Sequence, residues 1–142
     1  MTIVDANLLL YAYDATSRRH LGARSWLEEQ LSGSAPVGLP WVVLLAFLRI
    51  STNPRVLARP LPIAEATEIV SSWLEVPCVV VPGPGPGHWQ LLVGLLSASQ
   101  ARGPLVSDAH LAALAIEHGA VLATTDRDFT RFDGLRLVDP VR

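Results

Sequence analysis

Apolar and polar positions divide this chain into short apolar runs and longer segments of helical period. The first run, Thr2-Ile3-Val4, stops on Asp5 and gives way to an amphipathic segment over 8–13. A short apolar run closed by a carboxylate reads as a strand that holds a charge at the mouth of an α/β sheet. Asp14-Ala15-Thr16-Ser17 then reads as a turn and helix cap. The next helix is expected over 18–31, with Leu21, Ala23, Trp26, Leu27 and Leu31 as its apolar stripe and Glu28 and Glu29 solvated. Residues 37–39 suit a short strand, and Pro40 suits the first turn of the helix that follows. From 41 to 50 the chain is apolar all round except for Arg49, a pattern expected of a buried helix.

Ser51-Thr52-Asn53-Pro54 breaks that helix, and 55–62 reads as an irregular connector. A further amphipathic helix is expected over 63–74. The β-rich run 76–82, which holds Cys78, is expected as a central strand. The Pro-Gly alternation over 82–87 has the chemistry of a stiff loop, and a helix is expected over 88–100. The last helix is expected over 108–118, with Asp108 as its N-cap and Gly119 closing it. A second buried strand, 120–125, again ends on an acid, Asp126. A short turn over 127–129 and a closing strand over 135–138 complete the pattern. Strands alternating with helices predict an α/β fold in which a mostly parallel sheet is covered on both faces. With neither repeat nor linker, the 142 residues read as a single domain over 1–142.

Composition narrows the chemistry. Half of the residues are hydrophobic, which argues against disorder, and the longest apolar run is far short of the ~20 residues of a membrane span. Cys78 is the only cysteine, so there is no internal disulfide and no thiolate zinc cluster. No export signal is read at the N-terminus, and a reducing cytoplasm is the expected compartment. The net charge of −2 announces no nucleic-acid partner, but all 11 basic residues are Arg. Arg grips phosphate and stacks on bases, although a coding bias toward Arg would give the same count. The absence of Lys excludes Schiff-base and P-loop lysine chemistry.

Two buried strands each finish on a carboxylate, Asp5 and Asp126, and Asp108 begins a nearby helix. In an open parallel sheet such groups meet outside the carboxyl ends of the strands. Three crowded carboxylates repel one another unless a cation lies among them. Oxygen ligands without Cys or a spaced His pair favour Mg²⁺, with Mn²⁺ as the alternative. A metal of that kind activates water against a phosphodiester.

Asp5-Ala6-Asn7, Asp108-Ala109-His110-Leu111-Ala112-Ala113-Leu114-Ala115 and Thr124-Thr125-Asp126-Arg127-Asp128-Phe129 together resemble the PIN domain, and more narrowly the VapC toxins of type II toxin–antitoxin systems. The resemblance spans the whole chain. It implies a three-layer α/β/α fold and a Mg²⁺-dependent endoribonuclease acting on structured RNA, commonly tRNA or ribosomal RNA. A VapB-type antitoxin partner and a toxin homodimer are also implied, with no membrane association. By the same resemblance Asp5, Asp108 and Asp126 are the metal-binding acids, Asp128 is an additional one, and Asn7 and Thr125 orient the carboxylates. The chain departs from the family at Ala46, where a Glu is expected, and no acid lies between Glu29 and Glu65. That gap favours a site that uses Asp128 or water, or that holds one ion rather than two. It also raises the alternative of a catalytically weakened PIN module that binds an antitoxin or RNA. A phosphatase or structure-specific DNA nuclease using the same carboxylates is a third reading. His110, Cys78 and the four Trp residues are expected as packing or interface residues. Arg49, Arg55 and Arg59, or Arg18, Arg19 and Arg24, are expected on a solvated face or along an RNA path.

Overall fold

Five short strands, all parallel, make one sheet in the order β3-β2-β1-β4-β5, in a computed structural model that describes residues 1–142. The strands are β1 (Thr2–Val4), β2 (Val37–Gly38), β3 (Val79–Val80), β4 (Val121–Ala123) and β5 (Arg136–Val138). Between them run α1 (Ala6–Tyr13), α2 (His20–Ser32), α3 (Trp41–Ser51), α4 (Ile63–Leu74), α5 (His88–Ser99) and α6 (Leu105–Glu117), and a 3₁₀ turn (Arg127–Arg131) precedes β5. Parallel strands need crossovers, and right-handed ones place α1 to α4 over one face and α5 with α6 over the other. No helix is long and apolar enough to cross a membrane.

The centre of the sheet is set by β1. Ile3 and Val4 are fully buried and pair with Leu122 and Ala123 of β4 on one side, and Ile3 pairs with Gly38 of β2 on the other. At Gly38 the fit is close: an added Cβ would lie 2.8 Å from Ile3 Cγ1 and 3.0 Å from Met1 Sδ. A second packing focus lies between α1, α3 and α4, where Tyr13, Phe47 and Trp73 meet edge to face with Phe47 and Trp73 centroids 4.7 Å apart.

Three expectations about elements change. The run 76–82 is an edge strand of two half-exposed residues, because β2 covers only one side of it. The last helix begins at Leu105, capped by Pro104, so Asp108 lies within its first turn instead of capping it. The apolar helix α3 is only half buried: Val43, Leu44 and Phe47 face the core, whereas Trp41 and Leu45 are each 58% exposed. Apolar composition all round a helix therefore does not distinguish a buried helix from one that lines a cleft.

Candidate active site

Strand order decides where the acids meet. From β1 the chain goes to β2 on one side, while β4 lies on the other, so a crevice opens beyond the carboxyl ends of β1 and β4. Asp5 follows β1, and its N–H donates to the Ala123 carbonyl at 2.9 Å, continuing the β1–β4 ladder by one bond. Thr124 follows β4 directly beside it. The Thr124 hydroxyl donates to Asp5 Oδ2 at 2.7 Å and accepts the Asp126 N–H at 3.0 Å. Asp126 Oδ1 in turn accepts the Asp128 N–H at 2.8 Å, which caps the 3₁₀ turn. One hydroxyl thus ties the two strand-end acids together. The orienting threonine is Thr124, only 4% exposed, and not Thr125 as the resemblance implied. Asn7 lines the same crevice, but its side chain forms no hydrogen bond with the carboxylates.

The crevice is a cleft of about 1120 Å³. Asp5, Asp108, Asp126 and Asp128 all face it, with Asp108 projecting from the first turn of α6. Its opposite wall is α3, through Val42, Leu45, Ala46 and Arg49. Ala46 thus sits on the cleft wall, where the fourth carboxylate was expected. Arg102, Pro104 and Ser107 complete the rim from the α5–α6 connection. Arg102 was missed by sequence reasoning; its only signal is its place six residues before Asp108 in a Gly-Pro loop. Of the arginines singled out, Arg49 alone lines the cleft. Arg24 instead pairs with Glu28, and Arg19 lies over the Tyr11 ring.

Charge crowding shows in the proton affinities. Burial raises the Asp5 carboxyl above its ordinary value, with Asp126 adding to it and hydrogen bonds from Thr124 and the Ala6 backbone opposing it. Asp108 is pushed up to about 6, first by burial and then by Asp126, Asp5 and Asp128, with Arg131 acting the other way. A cation in the cleft would relieve this repulsion. No three of these groups converge within reach of one ion as they stand. All the facing donors are oxygens, however, and Mg²⁺ is commonly held through only one or two carboxylates with water in its remaining positions. The oxygen donors that face the cleft therefore suit such an ion in their chemistry.

His110 takes no part in the cleft. On the far side of α6, His88 Nδ1 donates to Glu117, while His88 Nε2 and His110 Nδ1 share a hydrogen bond at 2.9 Å. Glu117 also accepts the Gly85 N–H at 2.8 Å, so this chain clasps the Pro-Gly loop to α6. Burial favours the neutral Glu117 carboxyl, but the bonds from His88 and Gly85 hold it below its ordinary value. His110 is lowered by burial and by neighbouring His88. The two His88 nitrogens serve different partners, which makes the group a hydrogen-bonded chain and not a metal cage.

Comparison with known proteins places the chain in a family. The PIN domain family model matches residues 2–135. Ribonuclease VapC37 of Mycobacterium tuberculosis is 45% identical over 140 residues, covering 99% of this chain and 97% of the relative. Ribonuclease VapC33 of the same species is 41% identical over 142 residues, covering 100% and 99%. Among solved structures, VapBC2 from Rickettsia felis bound to a promoter DNA fragment has a TM-score of 0.69 at 15% identity, covering 96% of both chains. Mycobacterium tuberculosis VapC20, a sarcin–ricin-loop-cleaving toxin, has a TM-score of 0.67 at 21% identity, covering 96% of this chain and 99% of that one. On its sequence and its fold, this chain belongs to the PIN domain family and, within it, to the VapC group.

Proposed function

We propose that this protein is the endoribonuclease toxin of a VapBC pair, hydrolysing RNA phosphodiesters with a divalent metal held by Asp5, Asp108 and Asp126. The observation that carries the reading is the Thr124 hydroxyl bridging Asp5 and Asp126 at the mouth of the cleft, with Asp108 facing them. Mg²⁺, or Mn²⁺ in its place, would supply an activated water and charge stabilisation at the phosphoryl group. Thr124 fixes the Asp5 carboxylate, and Asp126 orients Asp128 through its backbone. The substrate is structured RNA, tRNA or ribosomal RNA, which suits a broad cleft with cationic side chains on its rim. A VapB-type antitoxin neutralises the toxin, which acts as a homodimer in the cytoplasm.

The test is incubation of purified protein with total RNA, with Mg²⁺ and with EDTA, followed by mapping of the new ends. Discrete ends that require the metal support the reading; ends formed equally in EDTA refute it. Ala46 on the cleft wall favours a second reading, a weakened module that binds antitoxin or RNA without hydrolysis. Calorimetric titration with Mn²⁺ separates the two, because a pure binding module need take up no metal.

A further inference from the structure

A second opening lies on the other side of α3 from the carboxylates. Val42, Leu45, Ala46 and Arg49 line the cleft, whereas Phe47 and Ser51, one turn apart on the opposite stripe, line a separate cavity of about 180 Å³. α1 and the connector over 57–61 close its other sides, through Leu10, Tyr13 and Leu61. That volume is below the roughly 300–1,000 Å³ of sites for drug-sized ligands and well above the ~30 Å³ share of one water, so it suits a single ring-bearing side chain. Phe47 and Tyr13 meet edge to face with centroids 5.9 Å apart, and they offer a third ring the same kind of contact. Ser51 is only 2% exposed, yet its hydroxyl has no hydrogen-bond partner in the protein. An orphaned hydroxyl beside an apolar cavity is costly until a polar atom meets it. The mouth carries one charge of each sign. The N–H and hydroxyl of Thr16 donate to Asp14 Oδ1 at 3.0 and 2.6 Å, which leaves Oδ2 unpartnered, and Arg59 forms no salt bridge. Asp14 and Arg59 thus border one opening without pairing with each other.

We infer that this cavity binds a free aromatic α-amino acid with a ring hydroxyl, of which L-tyrosine is the natural example. Its ring packs against Phe47 and Tyr13, and its phenol hydroxyl meets Ser51. At the mouth its ammonium group faces Asp14 and its carboxylate faces Arg59. A free amino acid carries both charges on one Cα, whereas a residue within a partner chain has lost both to peptide bonds. The charged mouth therefore favours the free molecule over a protein side chain. The site is separate from the cleft and takes neither metal nor RNA, so it stands apart from the ribonuclease reading.

The experiment is equilibrium dialysis of tritiated L-tyrosine against the purified protein, with unlabelled competitors. L-phenylalanine competes about tenfold less well than L-tyrosine, through the loss of one buried hydroxyl contact. N-acetyl-L-tyrosine and L-tyrosinamide, which each lack one charge, compete about fivefold less well. Ser51→Ala brings tyrosine and phenylalanine within about twofold of each other. Arg59→Gln weakens tyrosine about fivefold and leaves tyrosinamide unchanged. Asp14→Asn, which keeps an acceptor for Thr16, weakens tyrosine about fivefold and leaves N-acetyl-L-tyrosine unchanged. Misfolding cannot imitate this matching of each variant to one analogue, because it would weaken every ligand alike. A parent protein that binds no tyrosine up to its solubility limit overturns the inference. So does binding that prefers phenylalanine, or that all three variants leave intact. Loss of antitoxin binding in Ser51→Ala, with no tyrosine bound by the parent, would assign the cavity to a partner's side chain and also overturn it. Dialysis uses neither metal nor RNA, so these outcomes leave the hydrolysis reading untouched.

Discussion

Replacing Thr124 by valine keeps the shape of the side chain and removes one hydroxyl that serves both strand-end acids. The lost bond to Asp5 Oδ2, at 2.7 Å, joins a buried hydroxyl to a carboxylate, and such bonds contribute about 1.5–3 kcal/mol. The Asp126 N–H also loses its acceptor at 3.0 Å, in a partly exposed setting where water replaces some of what is lost. The metal-free protein should therefore lose about 2 kcal/mol of unfolding free energy, read from urea denaturation. The larger consequence is for the ion. Groups that orient a metal ligand are worth about 10–100-fold in affinity, so the Mn²⁺ dissociation constant measured by calorimetry should rise by that factor. Thr124→Ser keeps the hydroxyl and should stay within about threefold of the parent in affinity. A Thr124→Val protein that is destabilised yet binds Mn²⁺ normally would make Thr124 a packing residue and refute its role in placing Asp5. Equal losses in the Ser and Val variants would refute the role of the hydroxyl itself.

Asp108, whose folded-state carboxyl is raised to about 6, binds more protons folded than unfolded, so metal-free stability should fall as pH rises from about 4 to 6. Asp108→Asn should flatten that fall and stabilise the metal-free protein at neutral pH by about 1 kcal/mol, the full shift being reduced because this group is half exposed to solvent. Thermal melts across pH check this, and a melting temperature that rises over the same window would contradict it. Ala46→Glu should add a carboxylate on the α3 wall of the cleft and tighten Mn²⁺ binding by about tenfold, through the added ligand charge. Unchanged affinity in calorimetry would show that the α3 wall lies out of reach of the ion. Glu117→Gln weakens the clasp to Gly85 and His88 and should lower stability by about 1–2 kcal/mol, while Mn²⁺ affinity stays unchanged. Hydrogen exchange at Gly85 should rise with it, and a loss of metal affinity would connect the clasp to the site.

Much of the site can be read from the sequence because its two central acids are local features of strands. Asp5 and Asp126 each end or closely follow a short apolar run, and the parallel pairing of Val4 with Ala123 brings those ends together. What the sequence leaves open depends on packing across the sheet. Thr124 and Thr125 are chemically alike, and only the alternation of side chains along β4 decides which hydroxyl turns toward Asp5. The start of α6 moves upstream because Pro104 begins the helix three residues earlier than the Ser-Asp pair would. The α3 helix has the pattern of a buried helix, yet one of its faces is a cleft wall. Periodicity records where apolar residues fall, not whether another element covers them. Arg102 joins the site only because the α5–α6 connection folds over the cleft rim, a placement no local pattern marks.

RNA cleavage by Asp5→Asn tests most directly whether the carboxylates are the source of hydrolysis. This substitution keeps the side-chain volume and an acceptor for Thr124 but removes the charge from the buried centre of the set. With Mg²⁺ present, the rate of appearance of mapped RNA ends should fall by about a hundredfold or more relative to the parent, and the parent in EDTA should fall to the same floor. Cleavage at the parental rate by Asp5→Asn, or undiminished cleavage in EDTA, would contradict the assignment of this site.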